Sequence, residues 1–430
     1  MSEPVSEHDY HLSAAGQALL RLARAQPFDR RLLLTGVSVG LAAGAAAYGL
    51  EVVLGWFAEM RARLGEAGPL IGPLFVVALP ALGGLLSGWL TRRHFPEAAG
   101  GVEEVAHAIS DRDGHIPVYV VWVKTLASAA TIGLGGSAGL EGPAVQIGSS
   151  AGSALGRFFD FPARDLKTFV AAGAVGGLSA AFGIPMAGVF FTMEVILRDF
   201  ANEAFPAVVV ASVTGAVVAR MLLHGKAVVP IVAFDWTKNS DLALYAGLGL
   251  LCAFIGRGYI AAIHRVKDEF DRWNRFPDWT RPCAGGFLVG ALTLGSPRIG
   301  GTGEGTSQAL VSGTAFGWHS ISLVLGKIAA TALTLGSGGS GGSLTPSLFI
   351  GAAAGSGWGQ AAAFFHLTDA SPGAFAVVGL CGVFTAAFSA PITGMMIGVE
   401  MTREYGLLMP VMVCCAIAYI GSRGQVSHTA

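Results

Sequence analysis

Two stretches of this chain are versions of one another. Residues 124–156 lie over residues 327–359 without a gap, and sixteen of the 33 positions are identical, in the pattern K..A.A.T.G.GGS.G...P...IG..AGS..G. Chance in a chain this rich in Gly and Ala gives about three. A second pair follows in the same order. Residues 173–194 (GAVGGLSAAFGIPMAGVFFTME) lie over 379–400 (GLCGVFTAAFSAPITGMMIGVE), with eight of 22 identical. A repeat this long is not a solenoid unit. The chain therefore consists of two halves descended from one unit, and any fold proposed for it has to be two-fold related.

The solvent of that fold is lipid. Of 430 residues, 53% are hydrophobic and 13% charged, and the mean hydropathy is +0.59; soluble domains carry about 25% charged residues. Apolar stretches run over 32–57, 70–90, 118–134, 169–197, 207–223, 242–264, 283–294, 320–335, 375–399 and 408–420. These predict an all-α integral membrane protein. Several stretches are short, or broken by Gly and Pro at 133–143, 183–185, 336–346 and 389–391. Interrupted segments at matching places in two halves mark a transport site. The expected organisation is an arm over 1–31, a first transmembrane repeat over 32–224, a linker over 225–240, a second repeat over 241–422, and a short tail over 423–430.

Charge excludes some functions and orients the chain. A net charge of −1 offers no basic face for nucleic acid. Arg21, Arg24, Arg30 and Arg31 make the polar start a cytoplasmic arm under the positive-inside rule, and the long apolar run after it is not that of a cleaved signal. The chain reads as a multi-pass protein of a bacterial inner membrane or plasma membrane. Cys252, Cys283, Cys381, Cys414 and Cys415 have no metal-ligand spacing and read as small buried side chains. His8 and His11, the one histidine pair at helical spacing, lie in the polar arm. No metal and no cofactor is expected.

The chemistry concentrates where each half has a glycine-rich loop followed by Pro. GGSAGLEGP (135–143) and GGSGGSLTP (338–346) are the two copies. Pro suits the first turn of a helix, where its missing N–H is not needed. The amides of that turn have no internal partner and carry partial positive charge. Within a bilayer they need one, and a dehydrated anion supplies it without a full positive charge to hold it too tightly. Glu141 lies inside one such start, and its repeat counterpart is Leu344. An acid present in one half only is a candidate gate and proton carrier: charged, it competes with the anion, and protonated, it leaves. Glu194 and Glu400 are counterparts of each other, so they read as structural acids that cap or bond at an interface.

These motifs carry a resemblance. GLEGPAVQIG (139–148) resembles the GxEGP signature of the CLC family of chloride channels and proton-coupled chloride transporters, whose Glu is the gate. GSGGSGGSLTPSLFIGAAAG (336–355) is similar to the family's GxFxP region, and PEAAGGVEEV (96–105) to its GSGIP region. AAFGIPMAGVFFTMEV and APITGMMIGVEMT look like its paired interface helices. The resemblance runs from Leu32 to Ile420. It implies inverted-topology repeats of tilted and broken transmembrane helices, and a homodimer in lipid with one chloride pore per subunit. Carried over residue by residue, it implies a chloride site on the backbone of Gly139, Leu140, Glu141 and Gly142. It implies a second at Gly100, Gly101, Ser343 and Leu344.

Departures from the pattern shape the functional expectation. The family's central Ser aligns with Gly100, its following Pro with Glu103, the Phe of GxFxP with Leu344, and the basic residue before the gate with Leu140. The pore Tyr has no counterpart near Ser427 and His428. The inner proton-relay Glu aligns with Val195. Proton exchange needs two carboxylates, so the expected activity is passive chloride movement through a channel or uncoupled pathway gated by Glu141. The alternative is a proton-coupled chloride antiporter with Glu194 as inner relay. A fluoride-handling branch ranks behind, because as its pattern reads it has Glu where this chain has Ser343. Last come a non-transporting scaffold and an intramembrane serine protease using Ser137, which lacks a partner His in the motif.

Overall fold

A computed structural model describes residues 28–66, 68, 71–200, 203–222, 241–273, 276–314 and 316–423. Most of the expected arm, the 225–240 linker and residues 424–430 lie outside the described residues, and with them His8, His11, Arg21, Arg24, Ser427 and His428. Among the described residues the architecture is sixteen α-helices, joined by short π and 3-10 turns and loops, with no β-strand. The first eight are α1 (Phe28–Gly65), α2 (Gly72–Gly88), α3 (Val102–Asp111), α4 (Val120–Gly133), α5 (Glu141–Phe158), α6 (Ala163–Phe182), α7 (Pro185–Phe191) and α8 (Phe205–Leu222). The second eight repeat the order: α9 (Asp241–Asp271), α10 (Arg281–Gly295), α11 (Glu304–Val311), α12 (His319–Gly336), α13 (Leu344–Phe364), α14 (Pro372–Phe388), α15 (Pro391–Thr402) and α16 (Leu408–Ser422). This is the predicted pair of inverted repeats of tilted and broken helices.

The breaks fall where the backbone demands them. Gly183 ends α6 in the left-handed region at φ 65°, and Pro185 opens α7 two residues later. Ser389 does the same at φ 54° between α14 and α15, with Pro391 as the restart. The apolar stretch 169–197 is therefore not one span. It divides into most of α6, then α7, then a π-helical turn over Thr192–Leu197. Helix lengths are as uneven. The 38 residues of α1 would reach roughly 57 Å at about 1.5 Å per residue, nearly twice the ~30 Å hydrocarbon layer. Such a helix crosses at a tilt or protrudes. Six helical stretches, including α1, α2, α8, α9, α12 and α16, are long and apolar enough to span. Their outward faces carry Leu74, Met221, Phe254 and Leu325, large apolar side chains more than half exposed, as a lipid-facing surface requires. The chain is a multi-pass integral membrane protein.

Glycine sets the distance between helices. At the α5–α6 crossing, a Cβ on Gly148 would collide with the carbonyl of Gly173, and one on Gly173 with the carbonyl of Gly148. Gly351 and Gly379 make the corresponding crossing of α13 and α14. Small residues let backbones approach this closely inside lipid, where association relies on packing rather than on the hydrophobic effect.

The halves meet across a local two-fold axis. Gly139 and Gly342, counterparts in the repeat, form an antiparallel bridge in which each amide donates to the other's carbonyl at 2.8 Å. Around it, hydroxyls pair in mirrored sets. Ser128 bonds Ser340 at 2.8 Å, and their counterparts Thr331 and Ser137 bond at 2.9 Å. The Ser137 amide donates to Thr334 Oγ1 at 2.9 Å and the Ser340 amide to Thr131 Oγ1 at 3.3 Å. These buried hydroxyls give the loop amides the partners that lipid would not. Packed along the same axis are α2 with α10 and α7 with α15.

Candidate functional site

The bridge brings the first turns of α5 and α13 together. Their approach loops begin with Gly135 (φ 115°) and Gly338 (φ 100°), the same repeat position, in a conformation that a side chain would strain. Leu140 is the N-cap of α5 and Ser343 that of α13. Neither is covered by a side-chain cap, so the amides of both first turns depend on the space between the helices for their partners. Gly142 lies against Gly342, so close that a Cβ on Gly142 would meet the Gly342 Cα at 3.2 Å, tighter than an ordinary contact. A third helix start joins them. Gly101 is the N-cap of α3 and faces Gly142.

Glu141 crosses this gap. Its side chain is buried, and one carboxylate oxygen accepts the Leu344 amide N–H at the head of α13. The other accepts the Thr345 hydroxyl at 2.8 Å. The amides of Glu141 itself and of Thr345 also face the carboxylate. An acid from one repeat thus sits on the helix start of the other, held by donors that carry no full charge. Its counterpart Leu344 makes no equivalent reach and faces the apolar space beside Leu178, Phe191 and Ile397.

The loop that delivers Gly100 and Gly101 is pinned from within the bundle. Lys124, fully buried on α4, donates to the carbonyls of Ala98, at 3.2 Å, and Gly100. Gln146 on α5 donates to the Glu97 carbonyl at 2.8 Å. The second half repeats the device. Lys327, fully buried on α12, donates to the carbonyls of Ile299 at 3.1 Å and Gly301 at 2.8 Å. Burying an ammonium is costly unless it is hydrogen-bonded, and both loops turn their carbonyls inward to meet one.

Gly100, Gly101, Gly139, Leu140, Glu141, Gly142, Ser343 and Leu344 therefore lie on three converging helix starts. Val195 lies elsewhere, half-buried in the turn Thr192–Leu197, which packs on α3 and α6. Beside it, Glu194 accepts the amides of Ile392 at 3.2 Å and Thr393 at 2.9 Å and the Thr393 hydroxyl at 2.7 Å. Glu400 does likewise for the amides of Met186 and Ala187, at 2.9 and 2.7 Å. These are helix-start caps, the structural role expected of paired acids. Sequence reasoning missed Lys124, Lys327, Thr345 and Tyr259. The first two were visible as charged residues heading both copies of an apolar repeat, and Thr345 as a hydroxyl beside Pro346.

Comparison with known proteins places this arrangement among anion transporters. Residues 83–423 match the model of the voltage gated chloride channel family. A ClcB-like chloride channel protein of Ralstonia nicotianae is 31% identical over 356 residues, covering 80% of this chain and 81% of the relative. An H(+)/Cl(-) exchange transporter, ClcA of Vibrio cholerae, is 31% identical over 404 residues, covering 90% and 85%. Among solved structures, a slow cyanobacterial Cl-/H+ antiporter superimposes with a TM-score of 0.82 at 23% identity, covering 92% of this chain and 94% of its own. A CLC-type fluoride/proton antiporter superimposes at 0.80 with 22% identity, covering 91% and 95%. At those identities the structures establish the shared fold.

Proposed function

This chain belongs to the CLC family of voltage-gated chloride channels and chloride transporters, and we propose on that premise that chloride crosses the bilayer between the starts of α5 and α13, with Glu141 as the gate. One observation carries the reading. The Glu141 carboxylate rests on the Leu344 amide and the Thr345 hydroxyl, donors that a small anion could use in its place. While the carboxylate is charged and seated, the path is closed. When it is protonated or swings away, chloride takes the same donors. One subsite uses the backbone of Gly139, Leu140, Glu141 and Gly142, and the next that of Gly100, Gly101, Ser343 and Leu344. The working unit is a homodimer of chains, each with its own path, and residues 32–224 and 241–422 are its two repeats. No cofactor takes part and no covalent chemistry is involved.

The movement is passive under this reading. Val195 leaves no acid at the inner relay position, and both oxygens of Glu194 are engaged by the start of α15. A second reading, proton-coupled exchange, draws on the relatives named H(+)/Cl(-) exchange transporters. Simultaneous chloride and proton flux from proteoliposomes separates the two. Passive conduction predicts chloride efflux with no uphill proton movement. Proton uptake driven by a chloride gradient, abolished by Glu194→Gln, would establish exchange. Vesicles that pass neither ion in wild type or Glu141→Ala would sink both.

A further inference from the structure

Tyr259 stands midway along α9 with its side chain fully buried. Its hydroxyl donates to the carbonyl of Ser343 at 2.7 Å. That carbonyl and the N–H of Leu344 are the two poles of a single peptide unit. A planar trans peptide holds them in fixed opposition, so fixing the oxygen fixes the direction of the N–H. The Leu344 N–H is the one aimed at the Glu141 carboxylate. The carbonyl already accepts the Ser347 amide at 3.2 Å within the first turn of α13. The phenol is therefore a second donor, beyond what the helix needs to satisfy that oxygen. A donor on the carbonyl also draws electron density from the nitrogen and strengthens the N–H at the other end.

We propose that Tyr259 is a positioning residue of the anion site. Through the Ser343 carbonyl it orients and polarises the Leu344 N–H that Glu141 and chloride take in turn. It does not touch the anion. The inference rests on the anion-site reading above and adds to it a residue outside every glycine-rich loop.

The test is chloride binding by isothermal titration calorimetry to full-length purified protein. Glu141→Gln, which removes the competing carboxylate charge, is the parent. Tyr259→Phe keeps the ring and deletes the oxygen. In the parent background it should weaken chloride binding about five-fold, with the thermal midpoint of the detergent-solubilised protein little changed. Site-specific 3-fluorotyrosine at 259, a stronger hydrogen-bond donor of nearly the same size, should tighten binding. This second variant keeps the test sharp if the phenylalanine variant folds poorly. Chloride affinity unchanged in both variants, in a parent that binds, would overturn the positioning role and leave the anion site standing. A changed melting midpoint with unchanged affinity would also overturn it, because a purely structural hydrogen bond behaves that way. A parent that binds no chloride would remove the anion site itself, and the role of Tyr259 with it.

Discussion

Glu194 and Glu400 cap each other's helices. Glu194, just past the end of α7, binds the first amides of α15, and Glu400, near the end of α15, binds the first amides of α7. Each carboxylate thereby fills the orphan donors of a helix start that begins with Pro. This exchange ties the two repeats together along the axis and explains why both halves carry an acid at the same place.

Removing either cap should cost stability before it costs selectivity. Glu194→Ala and Glu400→Ala each delete bonds to a charged group, a loss of about 1.5–3 kcal/mol. Thermal unfolding in detergent, followed by size-exclusion chromatography, should show both variants melting earlier by similar amounts. Chloride permeation by the surviving folded protein should be little altered. A large change in ion coupling for Glu194→Ala alone would assign that acid to proton transfer instead.

Glu141→Ala should open the path permanently. The side chain that occupies the Leu344 and Thr345 donors is gone, so chloride efflux should rise. It should also lose its dependence on pH, because the carboxylate whose protonation released the path is absent. In wild type, efflux should increase as pH falls. Efflux measured from pH 4.5 to 7.5 checks both statements, and a pH profile that survives the substitution would place the gate elsewhere.

Thr345→Val should weaken the closed state. It deletes the 2.8 Å hydroxyl bond to Glu141 and nearly preserves shape. A lost bond to a charged group is worth about 1.5 kcal/mol or more, or roughly ten-fold in the balance between seated and released carboxylate. Flux near neutral pH should rise several-fold. Thr345→Ser, which restores the donor, should return it toward wild type.

Lys124→Met should impair transport and stability together. It leaves the carbonyls of Ala98 and Gly100 without their buried donor, at a cost of about 1–3 kcal/mol. It also frees the start of α3 to drift from Gly142. Flux per folded protein and thermal midpoint should both fall. Lys327→Met should lower the midpoint comparably, since its loop is held in the same way.

Much of this architecture was written in local pattern. The paired kinks are legible because Gly183-Ile-Pro185 and Ser389-Ala-Pro391 force a turn whatever surrounds them. The two loops before Pro143 and Pro346 are legible for the same reason, and Glu141 stood out because its counterpart is Leu344. What stayed hidden depends on distance. The Thr345 hydroxyl meets Glu141 only because the Gly139–Gly342 bridge sets two helix starts face to face, and neither segment encodes that meeting alone. Tyr259 lies in a helix whose apolar pattern describes its lipid contacts and not the inward reach of the tyrosine hydroxyl to the Ser343 carbonyl. The α7 segment was obscured differently. Its hydrophobicity runs on into the turn at Thr192–Leu197, so composition alone shows one long stretch where the backbone has three pieces.

The bridge between Gly139 and Gly342 has a consequence for vectorial behaviour. A frame whose halves mirror one another about an axis lying in the bilayer plane has no built-in sense of outside and inside. Any rectification must come from what breaks the symmetry, and at the crossing point that is Leu140 opposite Ser343, Glu141 opposite Leu344 and Gly142 opposite Thr345. The sense of outside and inside is thus carried by three successive pairs of positions, set in a frame that by itself has no direction.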